Sequence, residues 1–204
     1  MIYLIGIGPG DKEFITLKAL KIIKKADVLI GSKRALSIFE HNNKVILGKN
    51  IKDDLKNAIE RYKNKEIAIL STGDPCFSGL LKTLKSIGIN NITIIPGISS
   101  IQIAAAKLKI SWEDYHILTL HGKPKNRDKL LKYLKNNENV IFLPNNLKDD
   151  IKYLISNGVN EELEIYILEN LTYENERIRK MKLKDILNDE FSYLTVCVYK
   201  GEDD

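Results

Sequence analysis

The chain has 204 residues, a hydrophobic share of 44% and a formal net charge of +5 at neutral pH. This length allows one large domain or two small ones, and no apolar run approaches the roughly 20 residues of a membrane-spanning helix. Basic and acidic residues are interspersed, which is typical of solvated helix faces and not of a nucleic-acid-binding track. The two cysteines form no metal-spaced pair, and the first residues lack the basic region of a signal peptide. We therefore expect a cytoplasmic protein without disulfides or a metal site.

The first half of the sequence alternates short apolar strands with helical patterns. A strand at residues 2–7 is followed by apolar residues at 17, 20 and 23, which form one helical stripe. The further predicted elements are strands in DVLIG, KVIL, residues 66–71 and NITIIP, and helices in KRALSIFE, residues 51–62, residues 77–87 and SSIQIAAAKLK. Strands that alternate regularly with helices predict crossover units and a largely parallel sheet.

A second series of elements begins near KISWEDYHILTLHGK. It comprises a strand in YHILTL, a helix at 127–135, a strand in NVIFLP, a helix at 147–156, a strand in LEIYILEN, and the closing segments YENERIRKMKL and FSYLTVCVYK. The alternation in the last segment is typical of a strand in a mixed sheet. We therefore predict two α/β domains, at residues 1–110 and 111–204.

Three glycine-bearing loops each follow a predicted strand and precede a helix. They are GIGPGD at 6–11, STGDP at 71–75 and PGISS at 96–100. In a parallel sheet all three leave the same carboxyl edge, where open α/β sheets bind ligands. Two interpretations of Asp74 stay open at this point. Its carboxylate caps the following helix, with Pro75 in the first turn, or it faces a ligand.

The loops match neither common phosphate-binding fingerprint. A dinucleotide fingerprint needs a glycine where Asp11 stands and an acidic residue where GSKR follows the second strand, and the sequence contains no P-loop. Glycines allow close backbone approach to a ligand. The PGISS loop offers hydroxyls at a helix start, which suits a carboxylate, and Asp74 suits an amine or a ribose hydroxyl. A ligand that joins an amino acid to a nucleoside, such as S-adenosylmethionine, meets these demands.

The segments YLIGIGPGD, ILSTGDPCFSGL and IIPGISSIQIAAAKL, in this order and spacing, resemble the tetrapyrrole methylases over essentially the whole chain. IGSKRAL, SWEDYHILTLHGK and LENLTYENERI are similar to the branch that methylates C5 of a corrin precursor, cobalt-precorrin-7, in the anaerobic route to cobalamin. The resemblance implies two α/β domains with the cofactor and substrate cleft between them, and S-adenosylmethionine as methyl donor. The alternatives are a relative that acts on another corrin position, on diphthamide or on ribosomal RNA, and a non-catalytic nucleotide-binding sensor.

The resemblance also implies roles for individual residues. The candidate cofactor-binding residues are Pro9, Gly73, Asp74, Phe77, Ser99, Ser100 and Leu143. The candidate substrate-binding residues are Gly8 and Gly10, which would face the tetrapyrrole, and Lys33, Arg34, Lys123 and Arg127, whose charges would pair with its carboxylates. For each of these cations simple solvation is the alternative.

Two residues are candidates for proton transfer. His121 follows a strand in TLHGK and is expected to face the macrocycle, against the alternative of a loop histidine satisfied by hydrogen bonds; Asp11 is the second candidate. Cys76 is expected to be a small buried hydrophobe. The resemblance further implies a homodimer and a tetrapyrrole substrate, with a separate C15-methylating, decarboxylating protein as a candidate partner. Neither nucleic acid nor a membrane is expected as a partner.

Overall fold

The first half of the chain is built on a five-stranded sheet with the strand order β3-β2-β4-β1-β5, in which every pairing is parallel. This half of the computed structural model comprises β1 (Ile2–Gly6), α1 (Leu17–Lys25), β2 (Val28–Gly31), α2 (Lys33–Ser37), β3 (Lys44–Ile46), α3 (Ile51–Arg61), β4 (Ile67–Ser71), α4 (Leu81–Ser86) and β5 (Thr93–Ile95). Strands β2 and β4 are buried along their whole length, as expected when helices cover both faces of a parallel sheet. The carboxyl ends of all five strands therefore share one edge.

The helix expected from residue 77 begins only at Leu81, so this prediction was wrong at its start. Ser78 has a positive φ of 54°. A Cβ on Gly79 would lie 2.6 Å from the backbone of Pro75. The chain before Leu81 therefore forms a tight turn in place of a first helical turn. Asp74 and Pro75 accordingly lie in a loop, and the first of the two interpretations of Asp74, as the cap of the following helix, is wrong.

The second half contains a five-stranded mixed sheet with the order β6-β7-β10-β8-β9. Its elements are α5 (Ser100–Leu108), β6 (His116–Thr119), α6 (Lys125–Lys135), β7 (Val140–Leu143), α7 (Leu147–Ser156), β8 (Glu164–Glu169), β9 (Arg177–Lys182), α8 (Leu183–Ile186) and β10 (Thr195–Tyr199). Strands β6 and β7 are parallel, whereas β10 is antiparallel to both β7 and β8. The mixed sheet predicted from the closing strand is confirmed. Its core surrounds Phe142 and Ile167, both fully buried.

The structure describes residues 1–201, which divide into two compact units. The first unit is Met1–Ser99 and the second begins at Ser100. The observed division precedes the expected one by about ten residues, because α5 packs against β10 and so belongs to the second unit. Within residues 1–201, no helix combines the length and apolar character that crossing a membrane requires.

Candidate functional site

Three glycine loops meet at the carboxyl edge of the first sheet. The Gly73 N–H donates to the carbonyl oxygen of Gly8 at 2.8 Å. A Cβ on Gly6 would lie 2.5 Å from the backbone nitrogen of Gly97, and one on Gly97 would overlap the carbonyl oxygen of Gly73. Such close approach of three backbones is open only to glycine. The prediction that the loops after β1, β4 and β5 share one edge is confirmed.

The Asp74 carboxylate ties the second loop to the third. Its Oδ1 accepts from the backbone N–H of Cys76 at 2.7 Å, and its Oδ2 accepts from the N–H of Gly97 at 3.1 Å. The first contact is the local turn that an Asp-Pro sequence favours, whereas nothing in the sequence signals the second. Because an ionised carboxylate has about four acceptor positions, half-buried Asp74 retains capacity for an amine or a hydroxyl.

The other candidate cofactor residues of this unit surround the same loops. Pro9 is buried, and Phe77 and Ser99 are half-buried. The Phe77 N–H donates to the carbonyl oxygen of Asp74 at 3.3 Å. Gly73 has a φ of +66°, and a Cβ placed there would meet only the Cα of Ser99, at 3.9 Å. The second loop therefore borders open space, which a bound group can fill.

The candidate substrate residues of the first unit lie in two places, the first glycine loop and the first turn of α2. Gly8, with a φ of +76°, is buried and Gly10 half-buried. Lys33 and Arg34 are exposed in the first turn of α2, and Arg34 Nη2 lies 3.4 Å from Thr72 Oγ1, beside the second loop. Asp11 accepts from the backbone N–H of Glu13 at 2.9 Å and so caps a short 3-10 turn. This capping contact is a local structural role for Asp11.

In the second unit, Leu143 is the last residue of β7, and His121 follows the neighbouring parallel strand β6. The Leu120 N–H donates to the carbonyl oxygen of Leu143 at 2.9 Å. His121 is half-buried, and its ring centroid lies 5.8 Å from that of Tyr193. Burial lowers the pKa of His121, and the negative charge of Asp150 partly offsets this effect. The neutral imidazole that results can accept a proton near pH 7.

Asp150, which the sequence analysis missed, is a fully buried carboxylate in the first turn of α7. Its Oδ1 pairs with Arg127 Nε at 2.6 Å, and its Oδ2 accepts from the N–H of Asn145 at 2.8 Å. The pairing favours a structural role for Arg127 over contact with a substrate. Lys123 is half-buried in the turn after β6, where its N–H donates to the carbonyl oxygen of Leu120 at 3.0 Å.

Glu169 is a second buried carboxylate that the sequence did not reveal. It accepts two hydrogen bonds from Arg177, at 2.7 and 3.0 Å, one from Arg179 at 3.2 Å and one from the Ser192 N–H at 2.8 Å. Burial alone would raise the pKa of Glu169, but these donors outweigh burial and lower it. Glu169 is thus held ionised and fixes the segment before β10 against β8 and β9.

Cys76 is exposed, so the expectation that it is a buried hydrophobe was wrong. Partial desolvation and then the adjacent Asp74 carboxylate raise the pKa of its thiol, which opposes formation of a reactive thiolate.

Within residues 1–201 no group of three or more His, Cys, Asp or Glu side chains is arranged to hold a metal ion.

Comparison with known proteins gives consistent matches. Residues 1–187 match the family model described as Tetrapyrrole (Corrin/Porphyrin) Methylases. A Methanocaldococcus jannaschii protein named probable cobalt-precorrin-7 C(5)-methyltransferase is 63% identical over 210 aligned residues, covering 100% of both chains. The solved structure of precorrin-6Y methylase (cbiE) from Archaeoglobus fulgidus is 29% identical, with a TM-score of 0.78 over 99% of this chain and 98% of that one.

A more distant structure shares the fold. Uroporphyrin-III C-methyltransferase from Thermus thermophilus, solved in complex with S-adenosyl homocysteine, has a TM-score of 0.78 at 20% identity and covers 98% of this chain and 96% of its own. This second methylase therefore has the same fold as this chain, although only 20% of the aligned residues are identical. The chain belongs to the tetrapyrrole methylase family, and it is a methyltransferase.

Proposed function

We propose that this chain transfers a methyl group from S-adenosylmethionine to C5 of cobalt-precorrin-7 in cobalamin biosynthesis. The observation that carries this assignment is the 63% identity, without a gap in coverage at either end, to the Methanocaldococcus jannaschii relative of that name. The likeness to precorrin-6Y methylase over 99% of this chain supports the same branch. The dispersed charge of the sequence favours a small-molecule substrate over ribosomal RNA.

The glycine loops of the first unit fit S-adenosylmethionine by the chemistry of their donors and acceptors. Asp74 has acceptor capacity for the amine or ribose hydroxyls, and the hydroxyls of Ser99 and Ser100 can donate to the carboxylate. Gly73 leaves open space beside the loop, with no heavy atom within 3.9 Å of a notional Cβ. Pro9 and Phe77 would supply apolar contacts, and the family resemblance adds Leu143 as a further candidate. When bound, the cofactor supplies an activated sulfonium methyl group to the nucleophilic carbon.

The protein's own part in the reaction is placement and proton transfer. Holding the two carbons in line supplies much of the acceleration expected for a bimolecular methyl transfer. The methylated carbon then loses a proton or the macrocycle tautomerises. We assign the acceptance of this proton to an imidazole nitrogen of His121, which burial keeps neutral. Asp11 is the weaker candidate, because its carboxylate already caps a turn.

The tetrapyrrole is the substrate and partner of this enzyme. A homodimer, a separate C15-methylating, decarboxylating partner protein and a cytoplasmic location complete the proposal. The family resemblance supports the first two. Light scattering of the purified protein tests the dimer, and co-purification with the C15-methylating protein from the same cells tests the second.

The decisive experiment incubates the purified protein with S-adenosylmethionine and cobalt-precorrin-7. We expect a product heavier by one methyl group, with carbon-13 NMR placing that group at C5. S-adenosyl homocysteine binding, measured by calorimetry in parallel, separates the two parts of the proposal. Transfer to a different carbon would replace the C5 assignment, whereas binding without any transfer would favour a sensor.

A further inference from the structure

A cavity of about 270 Å³ opens at the carboxyl end of β7, wholly within the second unit. One wall is residues 144–148, between β7 and the start of α7, and the other comprises residues 190–193 and Thr195, before and at the start of β10. A carboxymethyl group needs on the order of 100 Å³, if each water-sized group that it contains is counted at ~30 Å³. The space, here called the Lys148 cavity, therefore admits a substituent of that size.

Each wall of the Lys148 cavity is fixed by one of the two buried carboxylates. Asp150 holds the first wall through the N–H of Asn145 at 2.8 Å. Glu169 holds the second through the N–H of Ser192 at 2.8 Å, and Arg177 adds a bond to the carbonyl oxygen of Glu190 at 3.0 Å. These contacts fix both walls before any ligand arrives, which reduces the free energy spent on ordering them.

The lining of the cavity carries one cation, Lys148, and one anion, Glu190. Lys148 Nζ pairs with Glu190 Oε1 at 2.5 Å, joining the two walls. The lysine side chain is only 29% exposed, whereas the glutamate is 93% exposed. The cation is thus the less hydrated of the two charges and the one that gains more from a ligand of opposite sign. Because Glu190 is almost fully exposed, water can replace its contact with Lys148 when a ligand carboxylate takes its place.

The remaining lining is compatible with this polarity. The Asn146 Oδ1 already accepts from the Asp149 N–H at 3.2 Å, which leaves its amide N–H groups as donors. Asp150 and Glu169 are both occupied by the contacts above, so they add no unpaired anion. Tyr193 lines the cavity, and the centroid of its ring lies 5.8 Å from that of His121. The cavity and the candidate proton acceptor therefore share a neighbour.

We infer that the Lys148 cavity binds a carboxylate side chain of the tetrapyrrole substrate, with Lys148 as its counter-ion. This inference rests on the proposed function, because corrin precursors carry acetate and propionate groups. It adds a specificity-determining residue that the sequence analysis did not single out.

Kinetics of two variants test the inference. In Lys148→Gln we expect the KM for cobalt-precorrin-7 to rise about tenfold, as loss of one charged hydrogen bond implies. The kcat at saturation and the affinity for S-adenosyl homocysteine should stay unchanged. In Glu190→Gln the competing anion is removed, so the KM should fall. Lys152→Gln, an exposed lysine on the same helix, is the matched control and should match the wild type.

Each contrary outcome is informative. A KM for Lys148→Gln within twofold of that for Lys152→Gln would overturn the inference while leaving wild-type methyl transfer intact. A rise in KM for Glu190→Gln would also overturn it, because Glu190 would then support substrate binding through its ion pair with Lys148 and would not compete with the substrate. Absence of methyl transfer by the wild type would instead overturn the proposed function, and this inference with it. Thermal denaturation of each variant verifies that the fold is retained.

Discussion

His121 carries the most specific chemical assignment of any single residue in this protein. It is half-buried, and within residues 1–201 its imidazole makes no hydrogen bond to the protein. Burial lowers its pKa below the usual 6.5, although Asp150 opposes the shift. Protonation of the folded enzyme at this residue therefore requires a more acidic solution than free histidine does. The neutral form is available throughout the physiological range.

We predict that His121→Asn lowers kcat about 100-fold, the low end for loss of a general base. In the wild type, kcat should decline only on the acid side of pH 6.5, and this acid limb should be missing from the variant. His116→Asn is the matched control, since that exposed histidine at the start of β6 pairs with Glu138. Unchanged turnover in His121→Asn would remove it from the reaction.

Among the elements, the loops after β1, β4 and β5 depend on backbone contact. The carbonyl oxygen of Gly73 lies where a Cβ on Gly97 would be placed, and the Cα of Gly6 would lie 2.7 Å from the same Cβ. A methyl group at residue 97 has to push two strands' ends apart, because neither neighbour is a flexible side chain. The contact between Asp74 and the Gly97 N–H is lost in the same movement.

We predict that Gly97→Ala destabilises the fold by about 1–3 kcal/mol, as other overpacked sites do, and abolishes measurable binding of S-adenosyl homocysteine. Urea unfolding and isothermal titration calorimetry give the two values. Gly48→Ala is the control, because its Cβ would meet only the end of the Asp54 side chain, at 3.3 Å. Wild-type affinity in Gly97→Ala would show that the glycine loops do not form the cofactor site.

Most elements were predictable, since periodicity places α1, α3, α7, the strands of the first sheet and four strands of the second close to their observed bounds, whereas β9 was not predicted as a strand. The exception at α4 arises because the turn at Ser78 and Gly79 is a matter of backbone conformation, which apolar spacing does not report. The burial of Asp150 and Glu169 was also beyond the sequence. Asp150 stands in a run of polar residues and Glu169 at the end of an apolar strand, and neither pattern reports the tertiary pairing with Arg127 or Arg177.

For the molecule as a whole, acid stability depends on carboxylates of the second unit such as Glu169. Its pKa is lowered in the folded state from an ordinary 4.5, since Arg177, Arg179 and the Ser192 N–H together outweigh burial. Its contribution to the free energy of unfolding is therefore present above pH 4.5. That contribution is lost as the pH falls through the lower, folded-state pKa.

We predict that Glu169→Gln lowers the free energy of unfolding at pH 7 by about 2–3 kcal/mol, through loss of charged hydrogen bonds. The difference from the wild type should shrink steadily as the pH is lowered below 4.5. Urea unfolding at a series of pH values measures it. Glu164→Gln, on the same strand with only an exposed partner in Lys180, should change stability by less than about 1 kcal/mol. If the free energies of unfolding of Glu169→Gln and the wild type differed by the same amount at all pH values, the charge of Glu169 would be excluded as the cause of the difference.

The contact of Gly6, Gly73 and Gly97 also bears on how this protein tolerates mutation. When a side chain clashes with another side chain, a smaller neighbour can restore the fit at a second site. Here a new Cβ meets backbone atoms, and no substitution elsewhere can remove a backbone atom. A suppressor screen started from an alanine at residue 97 should therefore return true revertants to glycine and no second-site changes within these loops.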